Sequence, residues 1–585
     1  MTTMTPQEET DVLVIGAGPM GATTALALAR MGVKVQMVNR FNWTATTPRA
    51  HITNQRAVEV MRDLGVQEEA QRKATPWEWM GDTLFTTSLA GPEIARLRTW
   101  GTGDKRLGDY LQGSPCPMMD IPQDKLEPIL VQHAAAQGAV LSFNTQYLSH
   151  TQDADGVTAT LRDVNTGREH QVRAKYLVGA DGARSKVLDD AGLPVEGQLA
   201  RAATAYVLFK ADLTRYVSHR PSILYWIVTS NAAFGEIGLG LLRAIDPWKR
   251  WIAGWGFDMS RGEPDFSHEE VRHKIRLLVG DPQLEIEVES TSVWYVNQAH
   301  APEYAKGRVF CGGDAVHRHP PSSGLGSNTC MQDAFNLAWK LAYVIKGYAG
   351  PALLSSYSLE RSPVGAQVVK RANQSRVDYG PLNACFRDKQ AADPVAAGLA
   401  QLADPGAEGV ARREALAQAL QLKNHEFNAQ GVEMNQRCVS AAVIPDTSMG
   451  EEVWQRDPEL YLQATTRPGA KIPHAWLIDA QGHRISTLDR VGKGRTTLVT
   501  GIAGQAWVEA VKQLNMPYLD ALVIGATGAQ DVYSDWRAVR EIDEAGALLV
   551  RPDGVVAWRS MRGVKDVDTA RKQLAEVIDS VMALP

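Results

Sequence analysis

Residues 308–343 read RVFCGGDAVHRHPPSSGLGSNTCMQDAFNLAWKLAY, and the rest of the chain is organised around them. The run from Arg308 to Gly312 is short, apolar and ends in glycines, the pattern of a buried strand. Asp314 to Thr329 is a loop rich in Gly, Pro and Ser. From Cys330 to Tyr343, the apolar residues Met331, Phe335, Leu337, Ala338, Leu341 and Ala342 recur at near-helical spacing, which predicts a helix with one apolar face. A strand feeding a Gly-rich loop and then a helix start makes an anion site, because free backbone N–H groups and the helix dipole point into the loop. Asp314, at the strand exit, is placed to accept a hydrogen bond from a sugar hydroxyl. For this segment alone the competing reading is a surface turn with an incidental Asp.

The start of the chain removes much of that ambiguity. Asp11 to Ile15 (DVLVI) predicts a buried parallel strand, followed by Gly16-Ala-Gly18-Pro19-Met-Gly21, a helix through Arg30 and a second strand, Val33 to Asn39. Strand, GxGxxG, helix and strand in this order form the dinucleotide-binding βαβ fingerprint. The pattern expects an acid at the end of the second strand to hold a ribose. Asn39 stands there instead, followed by Arg40, so a hydroxyl can still be bonded but without charge assistance.

At 585 residues the chain is too long for one core, and two to four domains are expected. Its net charge of −5, from 61 basic and 66 acidic residues, gives no surplus for nucleic acid or an anionic membrane. The five cysteines (Cys116, Cys311, Cys330, Cys385, Cys438) are scattered singly, with no CxxC, metal spacing or disulfide framework. That usage fits a reducing cytoplasm. The polar, acidic N-terminus argues against a signal peptide, and no apolar run is long enough to cross a bilayer. No metal site is expected.

Between these two motifs, Thr47-Pro-Arg49-Ala-His51 precedes a helical run from Ala57 to Leu64. Arg and His two apart before a helix can face one cavity, or be a solvated loop. Met119-Asp120-Ile-Pro-Gln123 opens another helix, through Gln137. Tyr176 to Ser185 (YLVGADGARS) predicts a strand and an Asp-Gly turn. From Ala203 to Asp258 the runs ATAYVLFKADL, SILYWIVT, GEIGLGLLRAI and RWIAGWGFD predict a sheet rich in aromatics. Of Tyr225, Trp226, Trp248, Trp251 and Trp255, most are expected to be core. Pro351 to about Gln430 reads as helical, with a polar, mobile stretch at 388–404. From Val443 strands alternate with helical runs, and Pro552-Asp553-Gly554 centres a hairpin.

GDAVHRHPP followed by GLGSNTCMQDAFNLAWKLA resembles the second flavin motif of the group A FAD-dependent aromatic hydroxylases. YLVGADGARS resembles their middle motif. The stretches PRAHITNQRAVEVMRDLG, SLAGPE, DIPQDKLEPILV, HRPSILYW, DPWKRW, GVEMNQR and ISTLDRVGKGR extend the likeness nearly end to end, toward the phenol-hydroxylating branch. The resemblance implies an α/β fold: a Rossmann-like FAD-binding domain (8–80, 115–190 and 296–385), an inserted β-sheet substrate domain (81–114 and 191–295), a helical connector (386–442) and a thioredoxin-like domain (443–585) lacking CxxC, with no dithiol chemistry. It implies FAD as cofactor, NADH or NADPH and O2 as co-substrates, and a small phenolic partner (a substituted phenol, hydroxybiphenyl or naphthol). The implied reaction is hydroxylation ortho to the phenol hydroxyl through a flavin C4a-hydroperoxide, in a homo-oligomer (dimer or tetramer).

The same resemblance carries residue roles. His51 matches a substrate-facing base and Asp120 its carboxylate partner, which would fix the imidazole tautomer. Arg243 and Trp226 match cavity-facing positions on the sheet. Gly16, Gly18, Pro19, Gly21, Asn39 and Arg40 belong to the adenosine and pyrophosphate end, and Arg49 and Gln123 match positions touching the flavin. Asp181 and Arg184 lie at the pyrophosphate and NAD(P)H cleft. Asp314 holds the ribityl chain, Pro320 and Pro321 flank the ring, and the backbone of Gly324, Gly326, Ser327 and Asn328 faces its pyrimidine end. Rival flavoproteins fit less well. A disulfide reductase needs paired cysteines. A flavin halogenase needs Ile-Pro after two tryptophans, and Trp77-Glu-Trp79-Met-Gly81-Asp82 lacks them. A binding-only flavoprotein is the remaining alternative.

Overall fold

The computed structural model describes residues 8–232, 235 and 237–584. The DVLVI run lies in the strand Glu8–Ile15. Val12 to Ile15 are buried, as expected of a strand covered on both faces, whose sequence is continuously apolar. Val35–Val38 and Glu169–Gly179 pair with it in parallel, with Val140–Ser142 and Val309–Cys311 outside them. The glycine turn, Asn39, Asp181 and Asp314 therefore all follow the C-terminal ends of parallel strands. In open α/β sheets, ligands bind at that edge.

Two glycines set the local geometry. Gly16 has φ +107°, and a Cβ there would lie 2.3 Å from the Ala180 oxygen. A Cβ on Gly21 would lie 1.9 Å from the Gly16 oxygen. Only hydrogen fits at either point, so the turn closes tightly and the Pro19–Arg30 helix settles onto the strand.

A second eight-stranded sheet combines Asp82–Thr86 and Glu93–Arg98 with Glu196–Lys210, Leu224–Ile227, Gly240–Asp246, Arg250–Phe257, Glu287–His300 and His317–Arg318. The strand expected from Gly235 begins at Gly240, and Glu236 of that run lies outside the described residues. Strand alternation sorts the aromatics. Tyr225, Trp248, Trp251 and Trp255 share a core with Val271 and Ile275 of the His268–Val279 helix. Trp226 joins a different core, with Phe85, Tyr379, Leu382 and Phe386.

Long helices follow Pro351, among them Ser356–Val377 and Ala407–Leu422. The polar stretch at 388–404, expected to be mobile, contains the helix Pro394–Ala403. Asp393 caps it through the Val395 and Ala396 N–H groups, with Pro394 at its first position. The helix itself is almost wholly apolar, and most of the polar residues of the stretch lie in the turns before it.

The C-terminal sheet places Thr496–Gly501 between parallel Leu519–Ile524 and antiparallel Ala547–Val550, which pairs with Val556–Ser560 across the expected hairpin. Helices Gln505–Leu514 and Val567–Val581 complete a thioredoxin-like arrangement. Its core is continuous with Trp339 and Tyr343 of the Gly326–Ile345 helix. Among the described residues, no helix is long and apolar enough to cross a membrane.

Candidate active site

The turn after the first strand leaves Gly18 uncrowded. A Cβ there would meet only Glu127 Oε1, at 3.7 Å. Glu127 also accepts the Ala45 N–H (2.7 Å) and the Gln123 side-chain amide (2.5 Å), so it pins the loop carrying Arg49 to the Gln123–Ala136 helix. Burial raises the Glu127 carboxyl above its ordinary value. Asn39 donates its Nδ2 to the Trp43 carbonyl (3.0 Å), which leaves Oδ1 as an acceptor for a hydroxyl. Arg40 lies over the exposed Phe41 ring. Asp181 accepts from Ser185 Oγ and the Val187 N–H at the start of the next helix, and its backbone adjoins Gly16. Arg184 is exposed.

Asp314 is exposed although its neighbours on both sides are buried. The loop that presents it is held from beneath by Asp333, a residue sequence reading missed. Asp333 accepts the Gly313 N–H (3.1 Å), His317 Nε2 (2.9 Å) and Arg361 Nε (2.7 Å). Burial opposes its charge, but Arg361 and His317 hold its carboxyl below the ordinary value. An Asp set inside the apolar pattern of a helix was the only available signal. Pro320 is buried and Pro321 exposed.

Asn328 links the flavin-type loop to the His51 segment. Its Oδ1 accepts the Asn54 N–H (2.9 Å), and its Nδ2 donates to the Ile52 and Gly324 carbonyls. The side chain is therefore fully used, and what this helix start offers a ligand is backbone N–H groups. Gly324 has φ +62°, and a Cβ there would press on Ile52 at 3.1 Å.

The expected hydrogen bond between His51 and Asp120 is not formed. Ile52–Thr53 pairs antiparallel with Met119–Asp120, and Ile52 sits opposite Asp120. His51, one residue earlier, projects from the other face of this ribbon. Asp120, fully buried, instead bonds Arg243 Nη2 (2.5 Å) and Thr75 Oγ1 (2.9 Å). Asp120 therefore orients Arg243 and does not set the His51 tautomer. Thr75 carried no sequence signal.

His51 is buried, and neither ring nitrogen has a partner of good geometry. Burial first, then the charge of Arg243, holds its imidazole well below the ordinary value, against a smaller opposing effect of the Pro48 backbone. Arg243 Nε is likewise buried without a partner. Arg243 pairs with Leu224 across the sheet and Trp226 with Leu241, so these four side chains share one face. Trp226 meets Tyr379 edge-on at 5.0 Å. The structure thus brings together His51, Arg243, Asp120 and Trp226, with Gln123 tied to the same ribbon through the Ala50 carbonyl. Arg49 is exposed. Among the described residues no His, Cys, Asp and Glu cluster has metal-binding geometry.

A family model described as an FAD binding domain matches residues 9–372, and one described as an aromatic-ring hydroxylase C-terminal domain matches residues 465–585. The 2,4-dichlorophenol 6-monooxygenase of Cupriavidus pinatubonensis is 48% identical over 559 residues, covering 94% of this chain and 93% of that protein. Phenol 2-monooxygenase of a Pseudomonas species is 43% identical, covering 97% and 93%. Among solved structures, the flavin-dependent monooxygenase PieE, in complex with FAD and substrate, matches at TM-score 0.93 and 42% identity, covering 99% of this chain and all of that one. Aklavinone-11 hydroxylase, with FAD and aklavinone, matches at TM-score 0.79 and 29% identity, covering 99% and 100%.

Proposed function

The chain belongs to the FAD-dependent aromatic-ring hydroxylases, and from that premise we propose that it hydroxylates a phenol ortho to its hydroxyl, using NADH or NADPH and O2 to give a catechol-type diol. The substrate class is a substituted phenol, hydroxybiphenyl or naphthol. The observation that carries this reading is the buried, unpartnered His51 beside Arg243, on a segment that Asn328 ties to the Asp314 loop.

The residues present fit FAD. The glycine cradle admits no side chain at Gly16, a Cβ at Gly18 would touch only Glu127, and the exposed Asp314 carboxylate stands beside the start of a twenty-residue helix. Asn39 Oδ1 would accept from the adenosine ribose and Asp314 from the ribityl chain, and the N–H groups from Gly326 to Asn328 would donate to the pyrimidine end. When bound, FAD supplies the electron transfer and oxygen activation that side chains cannot.

The protein's part is to prepare the phenol. With a pKa near 10, a phenol is about 0.1% ionised at pH 7, and the neutral ring is a weak nucleophile. His51, held neutral by burial and Arg243, accepts the phenol proton. The Arg243 guanidinium, oriented by Asp120, places a free Nε–H and a positive charge where the phenolate oxygen forms. Phe85, Leu224, Trp226 and Tyr379 wall the site with apolar surface and exclude water.

The test is a panel of phenols, chlorophenols, 2-hydroxybiphenyl and 1-naphthol. Purified protein should be yellow, and NAD(P)H consumption should rise with a cognate phenol and match catechol formed. A FAD-loaded protein that forms no diol from any phenol would refute the proposal.

A further inference from the structure

His319 plays no part in the reaction derived above, yet it borders the cofactor end of the site. Its Nδ1 lies 2.8 Å from the Pro320 carbonyl, an acceptor only, so the proton of the neutral ring sits on Nδ1. Nε2 is left with a lone pair. That atom is buried and has no partner. It lies at the first residue of the Gly326–Ile345 helix, where a Cβ on Gly326 would be 3.6 Å from His319 Cε1 and 3.9 Å from Nε2, with nothing else within 4 Å. A buried polar atom with no partner costs stability unless a ligand or water satisfies it.

We propose that His319 is a positioning residue for the reduced cofactor: it faces the pyrimidine end of the flavin through Nε2 and takes up one solvent proton when negative charge forms there. The proposal rests on the reading that this end of the ring lies at the start of the Gly326–Ile345 helix. Reduction brings two electrons and one proton to the ring and leaves one negative charge on it. A second proton, from solvent, adds to the His319 lone pair, and no bond of the chain breaks. Before reduction the ring of His319 is neutral, because burial and the adjacent His317 push it down to about 4.

The surrounding charges fit this behaviour. The His317 ring is stacked on His319, with centroids 6.1 Å apart, and is bonded to Asp333 of the helix, which Arg361 of the Ser356–Val377 helix also holds. The Asp314 carboxylate favours the imidazolium. The guanidinium of Arg318 is turned onto the Asp314 and Ala315 carbonyls. A new negative charge at the helix start is the one added influence that raises His319.

The measurement is the midpoint potential of FAD-loaded enzyme by equilibration with redox dyes, between about pH 5 and 8. Wild type should take up two protons per two electrons across part of this range. His319→Asn retains an N–H for the Pro320 carbonyl but cannot titrate, and His319→Gln retains a polar group near Nε2. Both should bind FAD yet lose one proton, a tenfold change per pH unit, or about 29.6 mV per pH unit for two electrons. Equal slopes in wild type and a FAD-loaded variant would overturn the assignment. So would one proton per two electrons throughout in wild type, whether or not the variants fold. Wild-type protein unable to bind FAD would refute the flavin reading itself.

Discussion

At the scale of single residues, Asp120 takes Arg243 as its partner and leaves both His51 ring nitrogens without one. The glycine turn and Asp314 could be read from residue type and turn context. The partner of Asp120 was not legible, because a two-residue ribbon decides it by strand alternation, and Arg243 lies 123 positions away. The resulting arrangement has a pH consequence. His51 works as a base only when neutral, so activity is lost as pH falls through its pKa, which burial and Arg243 place well below about 6.5. Arg243→Gln removes the charge contribution and leaves burial. The acid limb of kcat/KM should move to higher pH while staying below about 6.5, and an unmoved limb would mean that another group titrates. Asp314→Ala should fold normally but lose one charge-assisted hydrogen bond of about 1.5–3 kcal/mol, or roughly 10–150-fold in FAD affinity. Flavin fluorescence titration would measure it, and unchanged affinity would remove Asp314 from the cofactor site.

The Gly326–Ile345 helix shows what was and was not readable at the scale of elements. Apolar spacing announced the helix, but its polar residues are equally organised. Lys340 and Asn336 both bond Glu360, which also accepts two bonds from Arg551 (2.6 and 2.9 Å), and Arg551 in turn holds Asp553. All of these side chains are buried. In sequence they are one amide and four charges spread over as many as 217 positions, with no local pattern to mark them. Removing one partner of such a cluster strands the others in low dielectric. Arg551→Met should cost about 3–5 kcal/mol in a denaturant titration. A loss below about 1 kcal/mol would show that solvent reaches the cluster.

On the scale of the whole molecule, the cofactor-type helix is also part of the C-terminal domain's core. Trp339 and Tyr343 pack with Leu498, Trp507 and Leu549. Deleting residues 443–585 should therefore give aggregated or FAD-poor protein, read by gel filtration and flavin content. A soluble, FAD-loaded truncation that lost only hydroxylation would mean that the domain serves the chemistry directly. The inserted sheet contributes Arg243 and Trp226, the first parallel sheet positions the glycine turn and Asp314, and the ribbon between them carries His51. On the proposed function, this assembly deprotonates a phenol. Positioned bases contribute about 10²–10⁴-fold, so His51→Ala should slow hydroxylation of ordinary phenols by that order with FAD still bound. Electron-poor phenols already ionised in the buffer should lose much less. The direct measurement is the mutant-to-wild-type ratio of diol formation against substrate pKa, with peroxide counted separately. The ratio should rise toward one as the substrate becomes more acidic; the same loss across all phenols would contradict the account and make His51 a residue that only positions the ring.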